Sequence, residues 1–314
     1  MEAILHWGLD VIRAIQAGAN PSLDFLMRVV SVLGSSAAYI VMIAFIYWCI
    51  DEKKGLRLGI ALIISVWLNI VFKFLLDQPR PFFPGFDPSL AMAPASMGGL
   101  PSGHAQNSLV VWFIIASWGK EKWHFVLAGI FCLLMAFSRV YLGVHFPTDI
   151  LGGWLLGGAL LCVYFLAGKR IESLLSKYAP RAGLVAVAGL SFLMTLYRPS
   201  VEVLIPAGIL IGMGAGFYLC KRYIGFTALA PLSRNGFARY LTLFIRIAIG
   251  TAGALLILIP SGNLLATLQN SENYQLFVFA RFALFALWVS AGAPWVFRVA
   301  RLSESNVIHY QEHD

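Results

Sequence analysis

The sequence predicts an all-α protein, a polytopic transmembrane helical bundle with about nine spans. Of its 314 residues, 59% are hydrophobic and only 12% are charged, which is about half the charged share of an average soluble domain. The charged residues stand in short clusters between apolar runs. Several of these runs approach the roughly 20 residues that a helix needs to cross a bilayer. Both observations indicate that lipid surrounds most of the folded chain.

Nine apolar runs are interpreted as spanning helices. They cover residues 30–50, 56–77, 103–118, 123–143, 147–167, 182–197, 203–220, 239–260 and 275–297. An amphipathic stretch from Ile4 to Ile15 precedes them and predicts an interfacial helix that ends before the Asn20-Pro21 turn. The alternative for this stretch is one more spanning helix. We therefore expect an N-terminal interfacial region at 1–29, core helices at 30–168, and further helices with a short cytoplasmic tail at 169–314.

Positive charge predicts the orientation of the chain. Most of its 23 lysine and arginine residues fall in the connections on one side of the predicted membrane, and cytoplasmic connections carry such an excess. The N-terminus is therefore expected outside and the C-terminus inside. The net charge of +8 is explained by these clusters rather than by a nucleic-acid partner. The same orientation puts six polar residues on the non-cytoplasmic side: Lys73, Arg80, His104, Arg139, His145 and Asp149.

Neither a disulfide nor a metal site is expected. The four cysteines lie inside apolar runs without CxxC spacing, at Cys49, Cys132, Cys162 and Cys220. His309 and His313 are four residues apart but stand alone in a polar tail, so a metal site there is also not expected. The start, Met1-Glu2, lacks the positive region of a cleaved signal peptide, so the first apolar segments are expected to be retained.

Glycines recur at the spacing that favours close helix packing in lipid. Gly208, Gly212 and Gly216 share one face of a predicted span, and Gly153 and Gly157 share a face of another. Small residues four apart let two helix backbones approach each other. These glycines are interpreted as packing positions rather than functional ones.

Lys73 and Arg80 open the first of three polar segments, Lys73-Phe-Leu-Leu-Asp-Gln-Pro-Arg80-Pro81. Seven residues make about two helical turns, so a continuing helix would present both cations on one face. Pro81 would then end this helix at the membrane surface. Alone, the two cations would be interpreted as interfacial anchors. Their predicted meeting with a third cation and two histidines favours an anion site.

The second segment, Pro101-Ser102-Gly103-His104, begins a predicted helix. A helix N-terminus offers free N–H groups and a positive dipole end to an anion, and Gly103 lets the backbone approach that anion closely. The alternative is an ordinary serine cap at Ser102. The two interpretations are compatible, because one turn can cap a helix and bind a phosphate.

The third segment runs from Ser138-Arg139 through His145 to Asp149. A carboxylate beside an imidazole fixes the tautomer of the ring and stabilises its charged form. The alternative is that Asp149 only caps the next helix and that His145 is an interfacial histidine. Because Arg139 is a short loop away, the functional interpretation is favoured.

Together the three segments match the three-part signature of the type 2 phosphatidic acid phosphatases, a family that the chain resembles over about residues 73–149. The resemblance implies that His145 is a nucleophile that forms a phosphohistidine and that Asp149 orients it. It implies that His104 protonates the leaving group and then activates water. It also implies no metal or cofactor, and a phosphate pocket made by Lys73, Arg80, Ser102, Gly103 and Arg139.

The loop from Gln78 to Leu100 is proline-rich and aromatic, and carries Phe82, Phe83 and Phe86. An apolar loop facing water is expected to cover something apolar. One interpretation is a lid that contacts an acyl or prenyl tail of the substrate. A loop packed on itself is an equal alternative.

The resemblance implies a phosphatase of a lipid phosphate monoester or diphosphate, acting at the non-cytoplasmic face of a membrane. Phosphatidate, a prenyl diphosphate and a sphingoid phosphate are the candidate substrates, and a bacterial inner membrane with a periplasmic site is the expected location. The extra C-terminal helices are similar to the layout of glucose-6-phosphatases, so a soluble sugar phosphate is an alternative substrate. A non-catalytic phosphate-binding, lipid-binding or transport protein is a third.

Two arginines, Arg246 and Arg281, lie inside the last predicted spans. Charge in a span is costly and is commonly functional. We expect each to pair with Glu202 or Glu272, or to bind a second anionic group.

Overall fold

The computed structural model describes residues 2–95, 97–177, 180–228 and 236–303. The predicted all-α class is confirmed. In chain order the helices are Glu2–Gln16 (α1), Pro21–Leu33 (α2), Ser36–Cys49 (α3), Glu52–Leu76 (α4), Gly103–Ala116 (α5), Trp123–Tyr141 (α6), Pro147–Lys177 (α7), Pro180–Tyr197 (α8), Val201–Leu219 (α9), Phe237–Thr267 (α10), Tyr274–Leu287 (α11) and Ala293–Val299 (α12). His309 and His313 lie outside the described residues.

Fewer helices than predicted are long and apolar enough to cross a membrane. Within the described ranges six qualify, namely α4, α6, α7, α9 with its π-helical extension to Ile224, α10, and α11 continued through α12 to Val299. Helix α5 has 14 residues, a length of about 21 Å, which falls short of a bilayer core of about 30 Å. The apolar part of α8 is also short. Nine full spans are therefore not supported, and the orientation of the termini stays a prediction.

Two helices, α1 and α2, precede the bend at Gly34. Helix α1 ends at Gln16, and a turn leads to Asn20, whose side chain accepts a hydrogen bond from the Leu23 N–H at 3.0 Å. This cap and Pro21 at the first helical position start α2. Helices α2 and α3 meet at a bend of 54°. The span predicted over 30–50 therefore has other bounds and a break at Gly34, and α2 and α3 together count as a seventh candidate span only if the bent pair is one span.

The chain divides into two compact units, which are described separately. The first contains residues 1–41 and 64–169, and the second contains residues 42–63 and the chain from 170 onward. All three polar segments of the sequence belong to the first unit. Helices α3, α4 and α7 each continue from one unit into the other.

The first unit is built around Phe146, which is fully buried. Leu5, Leu9 and Ile12 on one face of α1 pack into the same apolar cluster.

Gly153 of α7 lies against the backbone of α5, where an added Cβ would collide with the carbonyl oxygen of Ser102. Gly157 repeats this contact one turn later, against the Gln106 carbonyl. The predicted packing role of these two glycines is confirmed.

In the second unit, α9 packs along α11. The predicted packing face of α9 is confirmed, since Cβ atoms added at Gly208 and Gly212 would meet the backbone of Phe279 and Ala283. At Gly216 an added Cβ would collide with the Ser290 hydroxyl. Glycine therefore allows the two helices to approach each other at three successive turns.

Arg246 and Arg281, which were predicted to pair with Glu202 or Glu272, both donate to backbone carbonyls in the structure. Arg246 is buried in the second unit and donates to three backbone carbonyls, those of Trp48, Ala228 and Leu302. Its guanidinium also lies 5.4 Å from the centre of the Phe226 ring. These contacts join three chain segments, which is a structural use of the charge. Arg281 donates to the Leu258 carbonyl at 2.8 Å.

Candidate active site

The three polar segments meet in the first unit, but Lys73 and Arg80 do so differently from the prediction. Helix α4 ends at Leu76, and Asp77 takes a left-handed backbone with φ of 41°. Proline disfavours the helical conformation in the residue that precedes it. Pro79 and Pro81 follow Asp77 closely. Arg80 therefore lies in a loop, and the prediction that both cations share one helix face is wrong.

Backbone carbonyls of two loops, the one after α4 and the one between α6 and α7, hold the two cations. The Lys73 ammonium donates to the carbonyl of Gly98 and, at 3.0 Å, to that of Gly99. The Arg80 guanidinium donates to the Val144 carbonyl at 2.6 Å. Burial lowers the pKa of Arg80 to about 10, so its side chain is still charged at neutral pH.

His145 and Asp149 form a buried pair at the start of α7. The Nδ1 atom of His145 lies 3.0 Å from Oδ2 of Asp149, and the two side chains are 2% and 0% exposed. The same Oδ2 accepts the Phe146 N–H at 3.0 Å. Because the carboxylate is an acceptor, Nδ1 of His145 carries the proton and Nε2 is left unprotonated. Asp149 thus makes both contacts considered for it, to the helix start and to the imidazole.

The unprotonated nitrogen of His145 faces the Arg80 guanidinium. Its Nε2 lies 3.3 Å from Nη1 of Arg80. Burial, and then the positive charges of Arg80, Lys73 and Arg139, hold the pKa of His145 well below its usual range. The ring is therefore neutral at pH 7, which is the form that can attack phosphorus.

Ser102, Gly103 and His104 enter the site at the N-terminus of α5. Ser102 occupies the cap position, yet its hydroxyl makes no cap bond and is buried without a partner. Its backbone N–H donates to the Asp149 carbonyl at 2.9 Å, which ties α5 to α7. His104 lies within electrostatic range of Arg139, Arg80 and Lys73. The structure thus brings this segment to the same charged cluster.

Arg139 completes the cluster from the last turn of α6. One of its nitrogens, Nη1, donates to the hydroxyl of Ser31, and its Nε is buried without a partner. Sequence reasoning missed Ser31. A single serine in an apolar helix carries no signal for such a contact.

A polar network behind Gly103 was also missed. Asn69 donates to the Pro101 carbonyl at 3.1 Å and to the Gln106 side chain at 2.8 Å. Gln106 in turn donates to the carbonyl and hydroxyl of Ser65. The network fixes α5 against α4, so Ser102 and Lys73 are held at one place. Its signal in the sequence is the occurrence of amide side chains inside two apolar runs.

Comparison with known proteins identifies the family. The profile of the PAP2 superfamily matches residues 54–172, and that of the PAP2 superfamily phosphatase transmembrane extension matches residues 204–305. Undecaprenyl-diphosphatase of Sulfolobus acidocaldarius is 31% identical over 161 residues, which are 50% of this chain and 76% of that protein. The chain belongs to the PAP2 superfamily.

Other relatives of the chain are named for different substrates. Mouse sphingosine-1-phosphate phosphatase 2 is 31% identical over 158 residues, which are 48% of this chain and 44% of that protein. Glucose-6-phosphatase catalytic subunit 1 of Haplochromis nubilus is 27% identical over 234 residues, 65% of this chain and 62% of its own. The chain therefore spans less than half of the mouse relative's length.

The three phenylalanines of the proposed lid pack against other side chains of the protein. Phe82 joins a cluster with Met27, Leu142 and Val144. Phe86 meets the Phe146 ring edge-on at 5.7 Å. The ring of Phe83 meets that of Phe82 edge-on, with the ring centres 5.3 Å apart. All three are half-buried, which favours the alternative of a loop packed on itself.

Gln16, at the end of α1, holds the loop that contains Leu90 against the last residue of α6, a contact that we call the Gln16 clamp. Gln16 lies outside the residues that the PAP2 profile matches. Its side-chain amide donates to the Leu90 carbonyl at 2.9 Å and to the Tyr141 carbonyl at 2.8 Å. Next to the clamp, Gly143 has φ of +66°, and an added Cβ would collide with the Leu90 carbonyl. Sequence reasoning missed this clamp, because its two acceptors are 74 and 125 residues away.

Gln16→Leu is therefore expected to lower the stability of the folded protein by about 1–3 kcal/mol, since two part-buried carbonyls lose their donor. The melting temperature in detergent should fall by about 5 °C. Gln275→Leu is the matched control, because Gln275 donates to the Pro199 carbonyl at an exposed position where water replaces it. Equal melting temperatures for the parent and Gln16→Leu would contradict the clamp.

Proposed function

We propose that this protein is a metal-independent membrane phosphatase that hydrolyses a lipid phosphate monoester or diphosphate through a phosphohistidine on His145. The observation that carries the proposal is the geometry of that ring. Its Nδ1 is held by Asp149 at 3.0 Å, while its Nε2 is 3.3 Å from the Arg80 guanidinium. A nucleophile with its orienting carboxylate and a facing cation is more than phosphate binding alone requires.

In the first step, Nε2 of His145 attacks the phosphorus atom, and the bond from phosphorus to the leaving oxygen breaks. His104 gives its proton to that oxygen, so the product leaves as an alcohol or a phosphate. The ring of His145 becomes an imidazolium carrying the phosphoryl group on Nε2. The Asp149 carboxylate stabilises this positive charge through the proton on Nδ1.

In the second step, a water molecule attacks the phosphohistidine. His104, now neutral, takes a proton from the water while the new P–O bond forms and the P–N bond breaks. The electron pair of that bond returns to Nε2 of His145, which is then ready for another cycle. Inorganic phosphate leaves, and His104 keeps the proton for the next leaving group.

The cation cluster supplies the electrostatic part of catalysis. Lys73, Arg80 and Arg139 surround the position where three phosphoryl oxygens gather negative charge, a task that bound metal ions perform in other phosphoryl-transfer enzymes. The buried Ser102 hydroxyl and the Arg139 Nε atom, both without a partner, are suited to donate to the same oxygens, as is the N–H of Gly103. A bound phosphate dianion also offsets the three cations and so favours a proton on His104.

The depth of the site supports a lipid substrate. Lys73, Arg139 and Asp149 lie in the terminal turns of α4, α6 and α7, three helices long and apolar enough to span a membrane. Their charged ends therefore lie near one membrane surface, where a lipid phosphate group lies. The excess of lysine and arginine on the opposite side supports a non-cytoplasmic site, facing the periplasm of a bacterial inner membrane. We assign the chemistry to the helices within residues 30–168.

A soluble sugar phosphate is the second candidate substrate. Its support is the glucose-6-phosphatase relative, whose similarity extends over 65% of this chain and thus beyond the segments that carry the site. Both candidates use the same chemistry, so the substrate must be settled by assay.

The test is phosphate release by the purified protein in detergent, with phosphatidate, a prenyl diphosphate, sphingosine phosphate and glucose 6-phosphate as substrates. We expect release from at least one lipid phosphate in the presence of EDTA, and inhibition by vanadate, which mimics five-coordinate phosphorus. Faster release from glucose 6-phosphate would favour the second candidate. Release from none of the four, by protein that is folded in detergent, would contradict the proposed function.

A further inference from the structure

The Asp149 carboxylate has a third hydrogen-bond partner besides His145 and Phe146, and it is Gln78. The side-chain amide of Gln78 donates to Oδ1 of Asp149 at 2.7 Å. The other oxygen, Oδ2, accepts from the His145 ring and the Phe146 N–H. Each oxygen of this fully buried carboxylate is thus held by a different part of the chain.

The backbone of Gln78 is itself fixed. Its carbonyl accepts the Gly99 N–H at 2.7 Å, and the Gly99 carbonyl accepts the Lys73 ammonium at 3.0 Å. A side chain at Gly99 would leave no room, since an added Cβ would lie 2.8 Å from Oδ2 of Asp149. Gln78 therefore reaches Asp149 from a loop that is anchored on both sides.

We propose that Gln78 is a positioning residue of the reaction, which holds the Asp149 carboxylate so that Oδ2 stays on Nδ1 of His145. The inference rests on the proposed function. A carboxylate held at one oxygen only can turn about its Cβ–Cγ bond, and its buried Oδ1 would lack a donor. A turned carboxylate would release Nδ1 and with it the tautomer that leaves Nε2 free.

The neutral amide also suits the charges around Asp149. Lys73 from α4, Arg80 from the same loop as Gln78, and His145 from the α6–α7 loop all act on this carboxylate. An amide satisfies Oδ1 without adding another positive charge, so Gln78 does not compete for Asp149 with the imidazolium that forms on His145. The residue type at position 78 therefore matters beyond its shape.

Two substitutions test the proposal on a substrate that the parent hydrolyses. Gln78→Leu removes the donor and is expected to lower kcat about 10- to 100-fold with little change in KM, because binding of the phosphate by the cations persists. Gln78→Glu can donate to Asp149 only while Glu is protonated. Since two carboxylates that share a site raise one of their pKa values, its kcat should decline with rising pH in a limb above about pH 4.3 that the parent lacks.

Gln275→Leu and Gln275→Glu are the matched controls, because this exposed glutamine also donates to one oxygen, that of Pro199. Both should keep the parent kcat and pH profile. If Gln78→Leu and Gln78→Glu also kept them, while His145→Ala lost activity, the positioning role would be overturned and the proposed function would stand. A folded Gln78→Glu protein whose kcat is reduced equally at every pH would overturn it as well. A parent protein that hydrolyses no phosphate ester would instead remove the proposed function.

Discussion

His145→Ala is expected to lower kcat by a factor of about 10⁴ or more. The substitution removes the atom that bonds to phosphorus, and no other imidazole of the first unit is paired with a carboxylate among the described residues. Phosphate release from the best substrate, measured with the purified variant in detergent, checks this. Vanadate binding should weaken but persist, because Lys73, Arg80 and Arg139 are intact.

His124→Ala is the matched control for this loss. His124 lies at the start of α6, 15 residues before Arg139, and its Nδ1 faces a backbone carbonyl, that of Glu121. Its substitution should leave kcat within about twofold of the parent, as for a surface change. A His145→Ala protein with the turnover of the parent would remove the nucleophile assignment.

Asp149→Asn is expected to lower kcat by about 10³- to 10⁴-fold while KM changes little, as expected for loss of the correct tautomer. An amide at this position offers Nδ2–H donors as well as an oxygen, so the ring is no longer forced to carry its proton on Nδ1. With the proton on Nε2, the lone pair that attacks phosphorus is lost. The variant also cannot stabilise the imidazolium of the intermediate.

The matched control for Asp149→Asn is Asp77→Asn. Asp77 is exposed and has a left-handed backbone that asparagine tolerates well. Steady-state kinetics of both variants across the pH range of activity provide the comparison. If Asp149→Asn lost no more kcat than Asp77→Asn, the carboxylate would have no role in orienting His145.

Local patterns in the sequence were sufficient to predict most of the candidate site. The pair His145–Asp149 has the spacing of adjacent helical turns, and the structure brings both residues together through one capped helix start. The packing glycines of α9 were likewise predicted from their spacing. In each case the interacting atoms are close in sequence or share one helix face, so periodicity carries the information.

Contacts between distant segments could not be predicted in this way. Lys73 and Arg80 were expected on one helix face, but Asp77 leaves the helical conformation. Both cations instead donate to backbone carbonyls of residues 97–99. Gln16, Gln78 and Asn69 were missed because each binds a group far along the chain. A polar side chain in a helix or loop does not indicate its partner until the fold brings that partner near.

The count of spans exceeded what the structure supports, for a related reason. Hydropathy responds to apolar composition and not to where a helix starts and stops. The caps at Asn20 and the break at Gly34 divide one apolar run into two helices, and α5 ends after 14 residues. Composition predicted helices at these places, whereas their lengths depend on capping and packing.

Detection of the phosphohistidine tests the central claim most directly. His104→Ala should form the intermediate from para-nitrophenyl phosphate, whose leaving group needs no proton, but should hydrolyse it slowly because the base for water is missing. After rapid quenching in alkali, mass spectrometry of the peptides should find the phosphoryl group on His145, labile to acid. Phosphoryl transfer that leaves His145 unmodified, or a phosphoryl group on another residue, would contradict the account.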